Sequence, residues 1–177
     1  MTSIDRLLMN YSNALKSWEV WCFMSGLDNE LKQKDRETKS KVDKDPLLFH
    51  LRFLAMKDLH IELYKILRKS KNNQDNIFYL LADEIRKKPN EGEGVAAKLI
   101  EEKLNKSKLL TDAVCVARDK FYAHLDEEFE KYIQKKSYAK DLQHLFDLIE
   151  EAIMVLTSPD KVAEVKLGIE ILGSERR

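Results

Sequence analysis

Residues 45–69 read DPLLFHLRFLAMKDLHIELYKILRK, and this stretch decides the fold. Asp45 followed by Pro46 is a helix start signal: the carboxylate caps the first free N–H groups, and the proline ring is already set for the first helical turn. Leu47, Leu48, Phe49, Leu51, Phe53, Leu54, Met56, Leu59, Ile61, Leu63, Tyr64, Ile66 and Leu67 then point nearly all round a helical axis. A helix apolar on every side needs neighbours on every side, so this one, running to about Lys69, is predicted to be central in a bundle. Asp58 and Glu62 fall four apart on its inner side and read as a buried ion pair with Arg52 or a remote lysine.

Working outward, Leu7, Tyr11, Ala14, Trp18, Trp21 and Ser25 recur at spacings of three and four, which predicts a helix from about Ile4 to Leu27 with the two tryptophans in the core or at a subunit interface. From 28 to 45 charges of alternating sign succeed one another. That stretch reads either as a solvated extension of the first helix or as a mobile connection. On the other side, 69–76 is polar and turn-like, a shorter helix is predicted from about Ile77 to Lys88, and Pro89, Gly92 and Gly94 mark a loop. Val95 to about Tyr122 is predicted helical, with a break near Asn105–Ser107. Ser137 is placed as the cap of a helix whose stripe is Leu142, Leu145, Phe146, Ile149, Ala152, Ile153 and Leu156. Ser158-Pro159 opens a last short helix through Leu172.

The fold class is therefore all-α: a single domain over 1–177, a helical bundle of about five to seven helices. No internal repeat or low-complexity block interrupts it. The composition agrees, with 44% apolar and 35% charged residues and only five Gly and three Pro. Thirty-one Lys and Arg balance 31 Asp and Glu, so the formal net charge is zero and any contact with nucleic acid is expected to be local rather than a broad basic footprint. Cys22 and Cys115, far apart in apolar stretches, read as buried small hydrophobes of a reduced compartment. Asp5, Arg6, Lys16 and Glu19 break any signal-peptide core, and no apolar run is long enough to span a bilayer, so no membrane contact and a cytoplasmic location are expected.

One segment reads as a chemical site. Residues 115–126 are Cys-Val-Ala-Arg-Asp-Lys-Phe-Tyr-Ala-His-Leu-Asp, which sets Arg118 and Asp119 just ahead of His124 at the end of an apolar helix. Arg-Asp-Lys-x-x-Ala-His resembles the signature of the HEPN superfamily of helical nucleotide-binding domains, and is most similar to its AbiU-type branch, linked to abortive infection of phage-infected bacteria. The resemblance covers Arg118, the polar residue Asp119 and His124. It implies a HEPN-like fold and a metal-independent endoribonuclease of a bacterial defence or toxin system, needing no cofactor. The implied partners are an RNA substrate, a second copy in a homodimer, and an antitoxin or defence partner protein. In that reading Arg118 holds the scissile phosphate through its guanidinium fork. His124 moves protons as the RNA 2′-hydroxyl attacks, leaving a 2′,3′-cyclic phosphate. Asp119 orients the pair, and Tyr122, Lys120 and Asp126 are auxiliary. Family members silenced by adenylylation carry Tyr two residues after the histidine; here that position is Asp126, an anion that raises a neighbouring histidine's pKa. The alternative function is a non-catalytic HEPN-like module binding RNA, nucleotide or a protein partner.

Helix geometry tests the arrangement. Six residues at 100° each leave His124 roughly 120° around the axis from Arg118. On a straight helix the two flank the stripe Leu110, Val114, Ala117 and Phe121 on opposite sides and cannot share one phosphate. Either the helix ends near Ala123 or a second copy, docked across that stripe, supplies the missing half. The remaining histidines, His50, His60 and His144, read as surface or satisfied residues. Asp141-x-x-His144 is rejected as half of a di-metal motif, because His144 falls on the solvent side. The basic groups Arg86-Lys87-Lys88 and Lys131, Lys135, Lys136 read as solvated faces.

Overall fold

The computed structural model of the protein describes residues 1–28, 30–69, 75–118, 136–157, 160 and 162–166. Among these residues there is no strand, only one isolated antiparallel bridge between Leu27 and Gln33. The chain forms α1 (Ser3–Met24), α2 (Arg36–Lys44), α3 (Pro46–Leu67), α4 (Ile77–Lys87), α5 (Gly92–Lys106), α6 (Lys108–Val116) and α7 (Lys136–Leu156), with helical residues again at 162–166. No described helix is long and apolar enough to cross a membrane.

Each helix starts where local chemistry frees it to start. Thr2 and Asp5 form a reciprocal capping box at α1. Asp45 accepts from the Leu47 and Leu48 N–H groups, with Pro46 in the first turn as the sequence requires. Asn76 caps α4 through the Tyr79 N–H. Arg6, near the start of α1, reaches Asp75, just ahead of α4, at 2.5 Å. The shared wall of α1 and α3 joins Leu7, Tyr11, Ala14 and Trp18 to Leu59, Leu63 and Ile66 in a core that also takes in Leu81, Leu104, Val114, Leu142, Leu145, Phe146, Ile149, Ala152 and Ile153. Burying one such Leu or Ile contributes about 1.5–3 kcal/mol, so this core outweighs every ion pair on the surface.

Four readings of the sequence change. Residues 28–45 are neither a continuation of α1 nor a plain connection. A tight turn at Gly26 (φ +65°) ends α1, the Gln33 amide binds the Gly26 carbonyl at 2.9 Å, and α2 then forms a separate helix capped by Asp35 with Val42 as its one buried residue. The central helix is central only in its second half: Leu47 is 65% exposed, with Phe49 and Leu51 exposed too. Apolarity all round an axis states what a helix tolerates, not that a partner covers each side. Ser137 lies inside α7 rather than ahead of it. Gly92 and Gly94 belong to the first turn of α5, not to a loop.

The break near Ser107, by contrast, is where the spacing placed it, between α5 and α6. The stripe Leu142 to Ile153 is buried as expected. Trp18 is buried and stacks on Trp21 at 5.3 Å between ring centroids.

The two α5 glycines differ in a measurable way. A Cβ on Gly94 would sit 1.7 Å from the Lys88 carbonyl oxygen, whereas one on Gly92 meets nothing within 4 Å. Gly92→Ala is expected to stabilise the protein by about 0.4–1 kcal/mol and Gly94→Ala to destabilise it by more than that amount, as read by urea unfolding. Equal effects from the two substitutions would contradict the packing of α5 on the Lys88 turn.

Candidate functional site

Of the motif residues, Arg118 alone lies among the described positions. Asp119, Lys120, Tyr122, His124 and Asp126 lie outside them, as do Phe121, Lys131 and Lys135. The helix leading to Arg118 buries Val114 and Ala117 completely and Leu110 partly. Past Val116 the chain enters a wider, π-type winding at Ala117 and Arg118, a feature that recurs at functional positions. One expectation for this helix changes and another is left open. The rotation from Arg118 to His124 lies outside the described residues. Of the stripe offered to a second copy, Val114 and Ala117 are buried within the chain and Leu110 partly so, while Phe121 lies outside the described residues.

Arg118 is exposed, and its guanidinium carbon lies 4.7 Å from the centroid of the Tyr64 ring on α3. Arg68, one turn after Tyr64, places its own guanidinium carbon 4.8 Å from the same centroid. Two guanidiniums thus share one aromatic ring and are no farther apart than the sum of those distances. Neither Tyr64 nor Arg68 was singled out in the sequence. The signal available was Tyr64-x-x-x-Arg68, a spacing that puts ring and cation on one helical face. The ordinary reading of that spacing is a helix end dressed with cations, which conceals the convergence with Arg118.

One turn before Tyr64 on the same helix sits His60, fully buried. Its Nδ1 is 2.7 Å from the Met56 carbonyl, which can only accept, so Nδ1 carries the proton and Nε2 accepts from the Tyr138 hydroxyl. Burial pushes the imidazole pKa down to about 4. Tyr138 is in the first turn of α7 and Arg118 ends the described stretch after α6. The two flanks of residues 119–135 are therefore both held on α3, at His60 and at Tyr64, one turn apart.

Other candidate groups are placed elsewhere. Asp58 is exposed rather than inward-facing. Glu62 is mostly buried, but its ion pair is a local one with Lys65 at 2.6 Å, and its second carboxylate oxygen has no hydrogen-bond partner. Arg52 instead meets Asp43 at 2.7 Å. Cys22 and Cys115 are half-buried, not buried. Burial and the nearby Glu19 carboxylate push the Cys22 thiol up to about 12, so it stays protonated and unreactive at neutral pH. His50 and His144 are exposed, and no group of three or more metal-ligating side chains comes together among the described residues. Arg86 and Lys87 both pair with Asp83, and Lys88 with Glu84, as a solvated face would. Comparison with protein-family models, curated proteins and solved structures finds no match to this chain.

The buried histidine makes a prediction about acid stability. In the unfolded chain its pKa is about 6.5 and in the folded chain about 4. Its contribution is complete above pH 6.5 and is lost as pH falls towards 4, by about 1.4 kcal/mol per pH unit. His60→Gln keeps polar groups at this position without titrating. Its urea-unfolding free energy is expected to fall less between pH 6.5 and 5 than that of the wild type, and parallel curves for the two would refute the assignment.

Proposed function

We propose that the protein is a HEPN-like, metal-independent endoribonuclease of a bacterial defence or toxin system. The observation that carries this reading is the setting of Arg118. The first residue of the Arg-Asp-Lys-x-x-Ala-His motif stands exposed in the last described turn beyond α6, against an aromatic ring, and both flanks of the stretch holding His124 are fixed on one helix.

In this mechanism the guanidinium of Arg118 forks two non-bridging oxygens of the scissile phosphate and neutralises charge that grows as the 2′-oxygen attacks. His124 accepts the 2′-hydroxyl proton, and the 5′-oxygen leaves with a proton returned by an acid, which in a homodimer is the histidine of a second copy. The bond formed is 2′-O to phosphorus and the bond broken is phosphorus to 5′-O, giving a 2′,3′-cyclic phosphate and a 5′-hydroxyl. Asp119 orients the pair. Zero net charge means that the phosphate is captured by local groups and not by a general positive field.

The test is cleavage of end-labelled RNA in EDTA. Wild type is expected to give products ending in a cyclic phosphate, while Arg118→Ala and His124→Ala each lose roughly 10²–10⁴ in rate. RNA left intact by the wild type, or cut equally by His124→Ala, rejects the proposal.

A further inference from the structure

The outer face of α3 repeats in sevens. Leu47, Leu54 and Ile61 are seven residues apart, and Leu51 and Asp58 fall four after the first two, so the spacing alternates four and three. That alternation keeps one row on one side of a helix, and it is the spacing by which two helices interlock. The chain itself leaves the row uncovered. Leu47 is 65% and Leu51 41% exposed, Asp58 is exposed, and Leu54 and Ile61 are half-buried.

Polar groups sit symmetrically along this row. His50 stands four residues before Leu54 and Asp58 four after it, and both are exposed. His50 stacks on the Phe53 ring at 6.2 Å between centroids, but among the described residues neither it nor Asp58 has an ion pair or a side-chain hydrogen bond.

We infer that this face pairs with the same face of a second copy, the two α3 helices running antiparallel about a two-fold axis at Leu54. In that register Leu54 meets the partner's Leu54, Leu47 the partner's Ile61, and His50 the partner's Asp58. Parallel helices would instead set Asp58 against the partner's Asp58, which like charge opposes. A second copy is the occupant because a two-fold interface needs a patch complementary to itself. An imidazole and a carboxylate placed equally on either side of one leucine supply that. The stripe on α6 does not compete, since Val114 and Ala117 are buried within the chain. The pairing does not rest on the ribonuclease reading.

Sedimentation of the full chain over a concentration series reads the pairing. Wild type is expected to be a dimer, and Leu51→Glu, which sets a charge in the row, to weaken it about a hundredfold or more. His50→Asp brings acid to acid and weakens it about tenfold, and adding Asp58→Arg restores it. Leu54→Cys places a thiol on the axis and is expected to give a disulfide-linked dimer on mild oxidation, which the wild type, with Cys22 and Cys115 alone, does not. Val95→Glu, at an exposed residue of α5, is the control and leaves the dimer unchanged. Circular dichroism and melting confirm that the variants fold, which the exposure of His50 and Leu51 allows.

A wild type that is monomeric at every concentration overturns the inference and leaves the face to a different protein. So does a dimer indifferent to Leu51→Glu. A dimer lost in Leu51→Glu, but neither rescued by the charge swap nor linked through position 54, overturns the antiparallel register. The two proposals fail separately. A dimer that leaves RNA intact keeps the pairing, and a monomer that cuts RNA keeps only the ribonuclease.

Discussion

The second half of α3 is the wall on which the rest of the structure is built. Leu59, Leu63 and Ile66 are fully buried, and α1, α4 and α6 all pack against this helix. Its polar members obey the same logic. His60 enters the core only because the Met56 carbonyl and the Tyr138 hydroxyl satisfy both of its ring nitrogens. Leaving either nitrogen unpaired at that depth costs about 1–3 kcal/mol, so the bond to Tyr138 fixes the first turn of α7 against α3 in one register. Nonpolar packing alone would tolerate sliding between the two helices; a buried, directional hydrogen bond does not.

The periodicity of side chains and the chemistry of helix ends were legible in the sequence. Asp45-Pro46, the stripe of α7 and the break at Ser107 are local signals, complete within a few residues, and the structure has them where the spacing put them. Features that depend on remote partners were not legible. Gly94 reads as loop punctuation, yet it sits in a helix because the Lys88 carbonyl leaves no room for a Cβ. Leu47 and Leu51 read as core by type, but nothing in the spacing says whether another helix lies over them, and none buries them. Asp58 and Glu62 share a face by the arithmetic of 100° per residue, yet only Glu62 is shielded, because the edge of a buried stripe is set by the neighbour's width.

The candidate site divides along the same line. Arg118 is visible from its own motif, since an arginine, an acid and a histidine at short range have a chemistry that can be stated without a fold. Tyr64 and Arg68 become visible only when α6 is laid on α3, because the ring that orders Arg118 comes from a residue far away in the chain. The rotation argument concerns residues beyond Arg118, which lie outside the described part of the chain.

Gathering cations at this end of α3 has a physical source beyond the rings. The C-terminal end of a helix carries unsatisfied carbonyls equivalent to roughly half a negative charge, which favours Lys65, Arg68 and Lys69 nearby. That field is short-ranged, so even a molecule with no net charge can place cations locally. A large overall positive charge would raise encounter rates with every nucleic acid in the cell. Placing cations at one helix end gives up that general attraction and leaves whatever attraction remains local to those cations.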